Sequence, residues 1–190
     1  MVHIRWLLTL LSENLILMSK IVFPNKPPIP IIQQILFMGI FMSEIIFPDL
    51  PPIKIVPQPN GKYSWVSNDS NSFTEFSVPK KLYDTQYFLA HNTKAGSHLN
   101  EIKIGDVIKF RESNAGLGEH TERKVKEIRK FKALQPTNLK TPLVDLSTGK
   151  QYSVEDITKE MWTNNKQVVF QTCIEKEGDI NWGRLFVIAE

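Results

Sequence analysis

Cysteine is almost missing from this chain: Cys173 is the only one in 190 residues. That scarcity excludes an internal disulfide framework and a cysteine zinc cluster. It leaves one thiol that is free, bound to a metal together with histidines, or catalytic. An excess of either charge is missing too, since 23 Lys and Arg stand against 20 Asp and Glu with the signs interspersed. No basic stripe points to nucleic acid and no acidic tail to a solvating arm, so nucleic acid is not an expected partner. Long apolar runs are also lacking. A bilayer span needs about twenty predominantly apolar residues, whereas the run that begins at Trp6 is stopped by Glu13. The charge-free run from Pro27 to Ser43 contains Pro28, Pro30, Gln33 and Gln34. Residues 31–47, with Glu44 their only charge, come close enough to leave a short or interfacial insertion open. The start, with His3 and Arg5 before WLLTLL, has no small-residue cleavage site of the secretory kind.

Proline and glycine divide the chain. Nine of the twelve prolines lie in the first 60 residues, and eight of the nine glycines lie from Gly61 onward. The expected boundary falls near residue 57, separating a proline-rich apolar region, 1–56, from a domain over 57–190. The first region holds a duplication: MSKIVFPNKPPIPII, residues 18–32, returns as MSEIIFPDLPPIKIV, residues 42–56. Two proline-rich copies cannot bury the shared core of a solenoid. The region is read either as a degenerate membrane-proximal anchor or as a nonfunctional extension.

From Gly61 onward short apolar segments alternate with turn chemistry. YSWVS, YFLA, DVIKF, KVKEIRKF, QVVF and RLFVIA carry the β-branched and aromatic residues of strands, and Asn-Asp-Ser-Asn, Lys-Ala-Gly, Gly-Leu-Gly and Ser-Thr-Gly punctuate them. This pattern predicts a mainly β fold, a barrel or sandwich. Ser153 ahead of VEDITKEMW is an N-cap signal with acidic residues in the first turn, which predicts one short helix over 154–162.

The carboxyl-terminal stretch VVFQTCIEKEGDINWGRLFVIAE reads as a hairpin. Gly178-Asp179 suits a two-residue turn, and centring there sets Cys173 opposite Arg184, Gln171 opposite Phe186 and Val169 opposite Ile188. Directly opposed residues have Cβ atoms about 4.5–5.5 Å apart, and a one-residue slip would send a side chain to the other face. Inert packing needs no cation beside a cysteine. A nucleophile gains from one, because positive charge favours the reactive thiolate and a guanidinium can donate to a developing oxyanion. Both readings remain open on these residues alone. Among the histidines, His3 lies in the unusual first region, His120 in a charged loop, and His98 before Leu99, where it caps or packs. His91 ends the apolar YFLA segment and opens the polar loop HNTKAGS, the place where a strand end delivers a side chain to a rim; a structural role competes there.

FLAHNTKAG, then LNEIKIGDVIKF, VVFQTC and WGRLFVIAE, resemble the sortase family of cysteine transpeptidases over roughly residues 60–190. The resemblance lies in the order, spacing and context of a strand-end histidine, a Thr-Cys pair and a following arginine. It implies a closed β-barrel of about eight strands with one or two short helices. It implies catalytic roles for His91, Cys173 and Arg184, and a substrate-site role for Thr172. The family's Thr-Leu-x-Thr-Cys is Val-Phe-Gln-Thr-Cys here, residues 169–173, and the family's usual amino-terminal signal anchor is replaced by the duplication. The implied partners are a polypeptide with a sorting signal and an amine acceptor, a peptidoglycan precursor or a pilin lysine. The implied setting is the cell surface, on the extracytoplasmic face of a membrane. No cofactor or metal is implied, and Glu112, Glu119 and Glu122 read as a solvated face. A noncatalytic peptide-binding barrel is the alternative. A metal site from His91, His98 and Cys173 would supply too few of the usual four ligands.

Overall fold

The computed structural model describes residues 43–111, 120–138, 140–164 and 166–190. The first copy of the duplication, His3, the run from Trp6 and the carboxylates Glu112 and Glu119 lie outside the described residues. Ten strands are described: β1 (Glu44–Ile46), β2 (Ile53–Pro57), β3 (Ser72–Glu75), β4 (Gln86–Leu89), β5 (Val107–Arg111), β6 (Thr121–Ala133), β7 (Leu143–Asp145), β8 (Gln151–Tyr152), β9 (Val168–Lys176) and β10 (Asp179–Ala189). Two short helices, α1 (Ser77–Tyr83) and α2 (Val154–Trp162), and a 3-10 helix at Ala95–Asn100 join them.

The strands run in the order β10-β9-β4-β3-β2-β1-β5-β6, and β6 pairs back onto β10. The result is a closed eight-strand barrel, with β7 and β8 continuing the sheet beyond β6. The fold is therefore mainly β with short helices, and of the barrel and sandwich left open by the strand pattern it is the closed barrel that the resemblance implies. Closure matters physically because it leaves no barrel edge with unpaired backbone donors and acceptors.

Several local readings hold and several do not. The helix over 154–162 forms as expected, with a reciprocal capping box: Ser153 Oγ accepts from Asp156 N at 3.1 Å and Ser153 N donates to Asp156 Oδ2 at 3.3 Å. YSWVS, by contrast, is not a strand. Gly61 takes a positive φ of 75°, and the buried Gln58 amide donates to the carbonyls of Tyr63 and Trp65. Those carbonyls are thus satisfied by a side chain and not by a neighbouring strand. The second copy of the duplication supplies β1 and β2, which pair with each other and with β5 and β3. The sheet accordingly begins upstream of the composition change near residue 57, and a fragment starting there would lose both strands.

Side-chain parity separates two apolar layers. Even positions of β4 and β9 and odd positions of β10 fill the barrel, where Phe170 packs against Phe47, Phe73, Phe88 and Phe110 with ring centroids 5.3–6.1 Å apart. The opposite positions, Tyr87, Val169, Phe186 and Ile188, point outward and are covered by Ile157 and Met161 of α2. Arg129 fastens α2 to the sheet. Buried at 8 % exposure, its guanidinium reaches Glu160 at 2.7 Å and Asp145 at 3.4 Å and lies 4.8 Å from the centroid of the Phe131 ring.

Burial pushes the Asp145 carboxyl up. Hydrogen bonds from the Ser147 hydroxyl, the Ser147 and Thr148 N–H groups and the charge of Arg129 outweigh burial and hold it below the ordinary carboxylate range. A depressed carboxylate contributes stability that is fully present above its unfolded value of about 3.9 and is lost as pH falls through the folded value. The urea midpoint should therefore drop below about pH 4, and Asp145→Asn should remove that part of the acid dependence while weakening the protein at neutral pH. An unchanged acid profile in the variant would contradict the assignment.

Candidate active site

Three neighbouring strands carry Cys173, Arg184 and the segment that leads to His91. In the β9–β10 hairpin Cys173 pairs with Arg184, Gln171 with Phe186 and Val169 with Ile188, the register expected from the sequence. The turn that produces it is different. Asp179 pairs with Lys176, so Glu177 and Gly178, both at positive φ (54° and 84°), form the tight turn. A register shift between Asp179 and Gly183 then inserts two extra residues into β10 and restores the expected pairing. Gly183 is needed beside this bulge because a Cβ there would collide with the Phe131 carbonyl oxygen.

On the other side of β9, β4 runs parallel to it with Leu89 beside Gln171. Ala90 N continues the pairing by donating to Gln171 O at 3.2 Å. His91 follows as an exposed residue at the rim, its carbonyl accepting from Lys94 N and Gly96 N at 2.9 and 3.1 Å. Gln171 and Phe186, two residues away on their strands, point outward, and the same parity places Cys173 and Arg184 on that face. Cys173 and Arg184 are both half-buried.

Thr172 does not join them. Its side chain is buried at 2 % exposure, and its hydroxyl donates to Ala90 O at 2.9 Å. It thus ties β9 to the segment that carries His91. Gly96 closes the same junction, for a Cβ there would overlap Thr172 Oγ1 and lie 2.7 Å from His91 O. Thr172→Val keeps the shape and removes the donor, leaving the carbonyl of the buried Ala90 without this partner. A stability loss of about 1–3 kcal/mol is expected in chemical denaturation, and a loss below the measurement error would show the bond to be dispensable.

Residues that the sequence reading did not single out lie around the thiol. Cys173 Sγ donates to Asn181 Oδ1 at 3.5 Å, and Arg184 Nη1 donates to Asn181 O at 3.0 Å and to Gly183 O at 2.8 Å. Asn92 Nδ2 donates to Ile180 O at 3.2 Å, which links the His91 loop to the same bulge. The only sequence signal for these contacts was the polar stretch between two strand-like segments. A cavity of about 160 Å³ adjoins Arg184 and is lined in part by Tyr87, Gln171, Met161, Trp162 and Phe186. Burial drives the Tyr87 phenol well above its ordinary range, against the opposing effects of Trp162 and of the Arg184 charge. It stays neutral and donates to Gln171 Oε1. Among the described residues no group of three or more His, Cys, Asp or Glu is arranged to hold a metal ion. Among them, too, no helix is long and apolar enough to cross a membrane.

No family model matches the chain, and no curated protein does. Solved structures do match, and those named here are sortases. A lid mutant of sortase A from Corynebacterium diphtheriae aligns over 78% of this chain and 68% of its own, at 16% identity and a TM-score of 0.49. Sortase C-1 from Actinomyces oris aligns over 90% of this chain and 83% of its own, at 17% identity and a TM-score of 0.49. Sortase C from Clostridium perfringens aligns over 80% and 70%, at 18% identity and a TM-score of 0.44.

Proposed function

We propose that this chain is a sortase-type cysteine transpeptidase. One observation carries the reading: Cys173 pairs directly with Arg184 on β10, and β9 is flanked on its other side by the strand that leads to His91. In the proposed reaction the Cys173 thiolate attacks a peptide carbonyl within a sorting signal. Arg184 donates to the oxygen that gains charge; Nη1 is engaged on the bulge carbonyls, and among the described residues its other N–H groups have no hydrogen-bond partner. His91 as imidazolium gives its proton to the leaving amine while the C–N bond breaks, leaving a thioester on Cys173. An incoming amine, from a peptidoglycan precursor or a pilin lysine, loses its proton to His91 and attacks the thioester. The new amide forms as the C–S bond breaks and the thiolate returns. Water in place of the amine gives hydrolysis. The proposed setting is the cell surface on the extracytoplasmic side of a membrane, with attachment through the amino-terminal region.

The purified full chain should acquire, on incubation with a library of short peptides, a mass increase at Cys173 equal to an acyl fragment, and an added amine should discharge it. Peptide binding without any adduct would favour the noncatalytic barrel.

A further inference from the structure

Asn181 owes its position to the two-residue excess in β10. Without the register shift between Asp179 and Gly183, the hairpin would continue from Asp179–Lys176 with no residue displaced over the thiol. With it, Asn181 bridges the two ends of the Cys173–Arg184 pair. Its side-chain oxygen lies 3.5 Å from Sγ, and its backbone oxygen accepts from Arg184 Nη1 at 3.0 Å. Its own N–H donates to Asp179 Oδ1 at 2.9 Å, which holds the segment in place, and the residue is half-buried. An amide is suited to this position for a chemical reason. It accepts through oxygen and donates through nitrogen, and a half-turn of the side chain exchanges them. Beside a protonated thiol the oxygen accepts, the orientation in which Oδ1 faces Sγ at 3.5 Å. Beside a thiolate the same amide can present N–H, and a hydrogen bond to an ionised partner is the stronger kind.

We propose that Asn181 is a further catalytic residue of this site, whose side-chain amide turns to donate to the Cys173 sulfur when the thiol ionises. The inference rests on Cys173 being the nucleophile of the proposed transpeptidase. Arg184 is held on the carbonyls of the same bulge, so the bulge supplies one donor for the sulfur and steers the other toward the attacked carbonyl.

The probe is iodoacetamide on the full chain at neutral pH, followed by intact mass. The thiolate forms an S–C bond as C–I breaks, iodide leaves, and the thiol proton goes to solvent. Asn181→Ala should slow alkylation about tenfold, the effect of losing a hydrogen bond to a charged partner. Asn181→Asp keeps the shape but sets a carboxylate beside the sulfur, and should be slower still. The carboxylate disfavours the thiolate whatever Asn181 does, so the Ala variant decides: a lost donor slows alkylation at neutral pH but not on the alkaline plateau where the thiol is fully ionised, whereas a merely structural role lowers both rates. Wild-type rates in the Ala variant, or a lowered alkaline plateau, would overturn the inference. If the Ala variant fails to fold, Asn181→Leu, nearly isosteric and without a donor, decides by the same comparison: slower alkylation at neutral pH with an unchanged alkaline plateau supports the role, and an unchanged neutral-pH rate removes it. Thioester formation is read separately, so its absence with every peptide would defeat the transpeptidase reading without altering these rates.

Discussion

Cys173→Ala is expected to abolish acyl transfer, with activity falling by at least about a thousandfold to background and no thioester adduct detectable by mass. The expectation follows from the reaction itself, because the acyl group passes through a covalent bond to Sγ that alanine cannot make. Cys173 is the only cysteine in the chain, so no second thiol can substitute. The fold should tolerate the change. The residue is half-buried on the outer face, and its one side-chain hydrogen bond among the described residues is a long thiol contact to Asn181. Circular dichroism and thermal melting should therefore match the parent protein. A variant that still transfers acyl groups would dismiss Cys173 as nucleophile. A variant that loses its fold would instead make the cysteine a packing residue.

Arg184→Ala is expected to lower the acylation rate by about a hundred- to a thousandfold, the cost of removing one preorganised oxyanion donor. The effect should appear in turnover more than in peptide binding, because the charge that it stabilises develops only during attack. Lysine should restore little. Arg184 Nη1 is held by two carbonyls, those of Asn181 and Gly183, while its other N–H groups have no hydrogen-bond partner among the described residues. A single ammonium on a flexible stem cannot occupy that seat and reach the substrate with the same geometry. Full activity in Arg184→Lys would reduce the arginine to a source of positive charge. Full activity in Arg184→Ala would remove it from the reaction.

Elements with strong local signals were legible. Ser153 and the acidic first turn of α2 act through neighbours three residues apart, so the helix could be read directly. The pairing of Cys173 with Arg184 was legible for a partly different reason from the one assumed. The tight turn lies one residue earlier, and a bulge compensates for the difference. Bulges have no local composition that distinguishes them from ordinary polar turns, so Asn181 passed unnoticed. YSWVS misled because aromatic content records an affinity for half-buried surface, whereas the fate of its carbonyls depended on Gln58. β1 and β2 were missed for the converse reason. Pro51 and Pro52 signal a break, yet they lie between the two strands, outside both ladders.

The sequence by itself determined the chemistry on offer: one thiol, a strand-end histidine, an arginine across a hairpin, and enough alternating strands for a barrel. Those properties follow from residue type and short-range periodicity, which act within a few positions along the chain. Only the tertiary structure decided which groups surround the thiol. The parallel pairing of β4 with β9 brings the His91 segment beside a strand about eighty residues away, and the β6–β10 closure completes the wall. The β10 bulge sets Asn181 over Sγ and holds Arg184 on its carbonyls. These contacts depend on registers between distant segments, chosen by which side chains the barrel can bury, and such choices are made by the whole fold at once.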